Sequence, residues 1–251
     1  MSKRVLLEIC VASVDDAIAA VEGGADRLEV NSALCLGGLT PSSGLVAEIR
    51  RRVAVPLIAM VRPRPGGFCY SSSDFDVMIR DAKLLIDAGA AGLAFGILKS
   101  NGDIDESRSN RLREVCGDRP AVFHRAFDVT PAPVAALTQL IDLGFERVMT
   151  SGQEPTAIAG SALIAELMAH SGKRIEILPA GGIRPNDVAE LLSRTGCDQV
   201  HASMRSAQRD ASVAARPQIC FRSTNSLSED VFEQTDRLLV SELRAALQHR
   251  G

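Results

Sequence analysis

The chain has 251 residues, with 28 Lys and Arg against 31 Asp and Glu, a formal charge of −3, and 46% hydrophobic and 24% charged residues. This length suits one closed α/β barrel, and the slightly acidic balance offers no face for a polyanion, which excludes nucleic acid as an expected partner. No apolar stretch approaches about 18 residues and the start MSKRVLLEIC lacks a signal-peptide core, so no membrane span is expected and a cytoplasmic protein is.

In chain order, strand-like runs near 5–11, 26–31, 56–62, 91–97, 120–126, 147–151, 174–180 and 198–203 alternate with amphipathic segments. Helical patterns such as SVDDAIAAVEGG, SDFDVMIRDAKLLIDAG, TPAPVAALTQLIDLG and RPNDVAELLSRTG start with Ser, Thr or Pro and end in Gly. Residues 205–227 form a longer connection with four arginines and Cys220, read as a mobile lid, an oligomer contact or a partly disordered tail. A last helix is expected over 228–250. Eight βα units in this length predict a TIM (β/α)8 barrel, one domain over 1–251. A homo-oligomer is expected.

The even strands share a register set by a preceding glycine, in GADRLEVN, GAAGLAFG, GFERVMTS and GCDQVHAS. A large aliphatic residue, Leu28, Leu93, Val148 or Val200, comes four positions after that glycine and should face the helices. Period-two alternation then sends Arg27, Glu29 and Asn31, Gly92, Ala94 and Gly96, Arg147, Met149 and Ser151, and Gln199, His201 and Ser203 to the barrel interior. The same logic brings in Glu8 and Cys10 from strand 1, Arg62 and Arg64 from strand 3, and His124 and Asp128 from strand 5.

Glu8 sits in the apolar run LLEICVAS, where an ionised carboxylate costs several kcal/mol unless compensated. A ring of Glu8, Glu29, Arg62 and His124, compensating one another and open toward the strand C-termini, accounts for it. The alternative is a structural plug of ion pairs among Glu8, Glu29, Arg27 and Arg147, which leaves Arg64, His124, Asp128 and His201 without a purpose.

Three motifs could carry chemistry. RPRPGG, residues 62–67, places two guanidiniums suited to carboxylate or phosphate at a strand end. FHRAFD, residues 123–128, offers His124 and Asp128 on the inside and turns Arg125 toward an outer helix. PAGGIRPND, residues 179–187, sets Gly181 and Gly182 before a helix with Pro185 as its first residue, where barrels often hold anions. His201 could join His124 and Glu8 as a metal site. His170 and His249 are read as solvated, and no lysine falls at an interior position, which disfavours Schiff-base chemistry.

The six cysteines form no CxxC pair. The segments LLEICVASVDDAIAAVEGGADRLEVNSALCLGGLTPSSG, MVRPRPGGFCYSSSDF, GLAFGILKSNGDID, VFHRAFDVTPAP, GFERVMTSGQ and PAGGIRPNDVAELL, spanning 5–205, resemble the CutC family, named for copper homeostasis. The resemblance implies a TIM-barrel architecture and a cytoplasmic protein linked to copper tolerance, with Cu(I) held by a strand 1 cysteine, here Cys10, and a strand 2 cysteine, here Asn31. An amide in place of a thiolate weakens such a site unless Cys35 folds back. The family's RPRGGDF also reads RPRPGGF here, so Gly67 replaces an acidic residue. Two readings stand: a copper-homeostasis protein binding Cu(I) through Cys10, with Cys35 or a methionine; or an enzyme for a small anionic metabolite, phosphorylated metabolites included. In the second, Glu8, Glu29, His124 and Asp128 do acid/base work and Arg62, Arg64, Ser151, Gly181, Gly182 and His201 bind the ligand.

Overall fold

The glycine-anchored register and the capping residues find their elements in a computed structural model, which describes residues 4–221 and 228–248. Lys3, the 222–227 part of the long connection, and the end of the expected last helix with His249 lie outside the described residues.

The barrel strands are β1 (Leu6–Val11), β2 (Arg27–Val30), β3 (Leu57–Met60), β4 (Gly92–Phe95), β5 (Ala121–Phe123), β6 (Arg147–Thr150), β7 (Glu176–Pro179) and β8 (Gln199–Ala202). The intervening helices are α1 (Val14–Glu22), α2 (Ser43–Arg52), α3 (Ser72–Asp87), α4 (Glu106–Cys116), α5 (Pro133–Asp142), α6 (Ser161–Ser171) and α7 (Val188–Thr195). Ser13 caps α1 by accepting from Asp16 N, and Ser71 with Asp74 builds a capping box on α3, so the Ser-led start signals do what their chemistry predicts. Pro185 lies ahead of α7 instead of opening it, because Asp187 accepts from Arg184 N and turns the chain first.

Each strand pairs in parallel with the next, β1 also pairs with β8, and a bridge between Ala180 and His201 joins β7 to β8, so the sheet closes as a TIM barrel. Leu28, Leu93, Val148 and Val200 are buried in the large apolar core between sheet and helices. The inner face divides in two. Ile58, Met60, Ala94, Val122, Met149, Leu178 and Ala180 make an apolar wall on β3–β7, and Glu8, Arg27, Glu29, Gln199 and His201 a buried polar wall on β8, β1 and β2.

The C-terminal quarter departs from expectation. Residues 205–209 are not loop but strand β9 (Arg205–Arg209), and the start of the expected 228–250 helix is its antiparallel partner β10 (Val231–Thr235). Only then does α8 (Arg237–Gln248) begin, with Asp236 accepting from Leu238 N at 2.9 Å, a start signal embedded in the longer helical pattern. Val240, Leu243 and Leu247 give α8 its buried face. Thr235 N donates to the buried Asp16 of α1 at 2.7 Å, fastening the hairpin to the barrel. No described helix is long and apolar enough to cross a membrane.

Candidate functional site

Parallel pairing puts Glu8 level with both Arg27 and His201, and Cys10 level with Glu29. Contacts follow from that register. Glu8 Oε2 pairs with Arg27 Nε, Glu8 Oε1 lies 2.7 Å from His201 Nδ1, and His201 Nε2 lies 3.9 Å from Glu29 Oε2. Arg27 Nη2 donates to Gln199 Oε1 at 2.9 Å, and Gln199 Nε2 reaches Glu176 at the far end of the barrel.

Burial pushes the Glu8 carboxyl up, but Arg27, the His201 hydrogen bond and their charges more than offset it and hold Glu8 ionised. Burial opposes a charge on His201 as well, yet Glu29, Cys10 and Glu8 keep the imidazole protonated well above its ordinary range. For Glu29 the balance tips the other way: burial, with the Glu8 charge added, raises the carboxyl against the pull of His201. Asn31 Nδ2 donates to Glu29 Oε2 at 2.9 Å, while Glu29 Oε1 is buried with no partner.

Cys10, Glu29, Asn31 and His201 form one wall of a cavity of about 610 Å³ at the C-terminal mouth of the barrel. His124 stands on the facing wall, after β5. Its Nδ1 accepts from Ala126 N at 3.2 Å, so the ring proton sits on Nε2, which is buried without a partner. Burial, with the Arg62 charge adding to it, pushes this imidazole down to about 3. Gly96 makes room for the ring: a Cβ there would fall 2.6 Å from His124 Nδ1 and 2.8 Å from Ala126 Cβ. Gly96→Ala is therefore expected to cost about 1–3 kcal/mol by overpacking, read as a lower denaturant midpoint with unchanged slope.

The predicted ring is not one ring. Glu8 is compensated by Arg27 and His201, not by Arg62 or His124, and it lies beneath the cavity rather than lining it. In this respect the plug reading describes Glu8 and Arg27 correctly, while Arg147 pairs instead with Glu176 at the barrel's other end. Arg62 gives Nη1 to the carbonyls of Leu36 and Gly38 and Nη2 to that of Gly66, and stacks 5.2 Å from the Phe68 ring centre; Nε is left over. Arg64 leaves the interior altogether, held by Asp74 and Cys69 O, because β3 ends at Met60 and alternation ends with it.

Strand β5 likewise stops at Phe123, and residues 125–129 coil into a 3-10 turn. That brings Arg125 to the cavity, against its expected outward position. Arg125 pairs with Asp128 at 2.8 Å and donates to Ser151 Oγ at 2.8 Å. Asp128 also accepts from Thr150 Oγ1 and Ser151 N, so it braces the loop after β6. Ser151 belongs to this brace and not to the cavity lining. Gly181 and Gly182, at φ of 101° and 68°, do line the mouth, with Ile183 and Arg184. Arg205 and Glu233, paired at 3.0 Å on the β9–β10 hairpin, complete the rim. Alternation gives no signal for Arg125, Arg184 or the hairpin pair. His170 is not simply solvated: it lies 2.8 Å from Thr138 Oγ1.

The CutC family profile matches residues 5–206. The chain belongs to the CutC family. A CutC family protein of Treponema denticola is 46% identical over 231 residues, 92% of this chain and 94% of that protein. The human copper homeostasis protein cutC homolog is 39% identical over 240 residues, 96% of this chain and 88% of its own. A crystal structure of the copper homeostasis protein CutC from Streptococcus agalactiae superposes with a TM-score of 0.75 at 30% identity, covering 78% of this chain and 97% of that one.

Soft donors for copper within this CutC cavity are Cys10, Met60 and Met149. Cys35 is exposed in the turn after β2 and does not line the cavity. His124 is remote from the other proposed metal ligands, across the cavity. Instead Glu8, Glu29 and His201 bring donor atoms within 4.8 Å of one another. That trio does not fit a resident divalent ion through Glu8, since Arg27 and His201 already occupy both Glu8 oxygens.

Proposed function

We propose that this chain serves in copper homeostasis, as the name of its human relative says of that protein, with the barrel-mouth cavity as the working site. The cavity receives a small anionic molecule on which buried groups do acid/base chemistry. The observation that carries this is the arrangement of one cavity around an arginine-bearing rim and an ionisable floor. Arg62 and Arg184 pair with no carboxylate among the described residues, and the Gly181–Gly182 turn adds backbone beside Arg184. An oxyanion at the rim would meet the exposed Arg184 guanidinium and the backbone of this turn, with the Arg62 charge beneath. Beneath them lie Glu29, His201 and His124, the groups that can move or hold a proton.

A screen of phosphorylated and carboxylated metabolites by thermal unfolding tests this reading. A ligand present at 100 times its Kd adds about 2.7 kcal/mol, or about 5 °C or more in Tm for a chain of this size. The stabilisation is expected to vanish in Arg184→Gln, an exposed position whose loss leaves the core intact. A silent screen counts against the anionic ligand.

Direct Cu(I) binding is the second reading, favoured by the Cys10 thiol lining the cavity next to His201. Two-thiolate coordination has no second sulfur at the end of β2, where Asn31 donates to Glu29. Titration of Cu(I) against a competing chelator is expected to give weak affinity, unchanged by Cys10→Ser. Tight binding lost in that variant would establish the copper site.

A further inference from the structure

Buried polar atoms without partners are rare in folded proteins, and each carries a cost of about 1–3 kcal/mol. Among the described residues four such atoms belong to side chains lining the same cavity, Glu29 Oε1, Asn31 Oδ1, Arg62 Nε and His124 Nε2; of these the carboxylate and the imidazole, Glu29 on β2 and His124 after β5, stand on opposite walls. Strands β3 and β4 separate them in the sheet order, so the cavity lies between them. Their chemistry is complementary. Glu29 offers an acceptor oxygen. Its other oxygen is fixed by Asn31, and His201 stands 3.9 Å away. His124 offers a donor, because the bond from Ala126 N to Nδ1 fixes the tautomer with its proton on Nε2, and Gly96 leaves the space the ring occupies.

We propose that Glu29 and His124 are a catalytic pair that interconverts a carbonyl compound and its enediol, the substrate being a small phosphorylated α-hydroxy aldehyde or ketone. The class rests on the anionic-ligand reading above: the phosphate occupies the rim at Gly181, Gly182 and Arg184, and the carbonyl carbon chain reaches down between the two walls.

In the forward step a Glu29 carboxylate oxygen takes the hydrogen from the carbon next to the carbonyl. The C–H electron pair becomes the new C=C bond, and the carbonyl π pair moves onto oxygen, where the His124 Nε2–H hydrogen bond stabilises the developing charge. Return of the proton from Glu29 to the same carbon regenerates the substrate, with solvent hydrogen if Glu29 has exchanged. Delivery to the neighbouring carbon, with hydroxyl proton transfer between the two oxygens, gives the isomer. No oxidant, reductant or metal enters the balance. A neutral imidazole suits the donor role because it gives a hydrogen bond without surrendering its proton outright. Met60, Met149 and Ala180 around the reacting centre exclude water, which protects an enediol from side reactions.

The test is solvent-hydrogen exchange into dihydroxyacetone phosphate and ribulose 5-phosphate in D2O, followed by proton NMR, with the thermal shift of each probe measured in parallel. Wild type is expected to incorporate deuterium next to the carbonyl. Glu29→Gln, which keeps an acceptor for Asn31, is expected to lose at least 10³-fold, and it reports any contaminating isomerase when purified alongside. His124→Asn, whose amide oxygen can still accept from Ala126 N, is expected to lower the rate 10²- to 10³-fold, the loss typical of one oxyanion donor, with little change in KM. Should Glu29→Gln unfold, Glu29→Asp keeps the carboxylate at shorter reach and is expected to retain a reduced rate. A probe that stabilises the protein without exchanging overturns the enediol chemistry and leaves the anion site standing. Failure of both to stabilise or exchange overturns both, and exchange equal in wild type and Glu29→Gln assigns the activity elsewhere and overturns the pair.

Discussion

Arg27→Met lowers the free energy of unfolding by about 3–5 kcal/mol, the range for removing one member of a buried ion pair. Glu8 is almost wholly buried, 1% exposed, and Arg27 is 5% exposed, so water cannot take over from the missing guanidinium. What remains in contact with Glu8 is His201, whose own charge then has to serve both Glu8 and Glu29, with the Arg147 charge farther off. Arg27 also donates to Gln199, and that bond is lost with it. Most of the penalty belongs to the stranded carboxylate and not to the net attraction of the pair, because each ion gave up its hydration on folding. The double variant Arg27→Met with Glu8→Gln is therefore expected to recover most of the loss. Guanidinium unfolding followed by circular dichroism measures both, with the slope as a check that the denatured state is unchanged. A double variant as unstable as the single one would show that Arg27 acts through packing.

The polar wall was legible in the sequence to the extent that strand alternation persists. Gly24 fixes the phase of β2, so Leu28 faces the helices and Glu29 the interior, and the same phase in β8 puts His201 inside. Which groups touch depends further on the stagger between strands. Glu8 meets Arg27 and His201 because parallel pairing sets them level, a quantity no single strand pattern contains. Alternation also says nothing past a strand's last residue. Arg64 follows the end of β3 and turns out to Asp74, while Arg125 follows the end of β5 and turns in to Asp128. The partners of Arg62 are carbonyls of Leu36, Gly38 and Gly66, supplied by loops whose backbone path has no residue-type signature. Strand β10 was hidden because Val231 and Phe232 precede a genuine helical pattern without a glycine or proline between them; Asp236 was the readable boundary.

Stability is expected to fall in acid through His124 before the carboxylates contribute. The imidazole titrates near 6.5 when unfolded and near 3 in the fold, where burial and the Arg62 charge disfavour its cation. Between those values the unfolded chain binds a proton that the folded chain refuses, so stability from this residue is complete above about pH 6.5 and is lost as the pH drops toward 3. The whole difference corresponds to about 5 kcal/mol, of which about 2 kcal/mol is already gone at pH 5. Glu29 and His201 titrate on the facing wall with the opposite sign: both are raised, so their contributions are lost as pH climbs. Comparison with His124→Gln removes them, because they are present in both proteins. The stability gap between wild type and His124→Gln is expected to shrink by about 2 kcal/mol from pH 7 to pH 5, read from denaturant unfolding at each pH. Parallel curves would mean that the ring accepts its proton inside the fold. A ring that charges there would no longer be a neutral Nε2–H donor facing Glu29 at moderately acid pH, so the same curves bear on how the cavity could polarise a carbonyl.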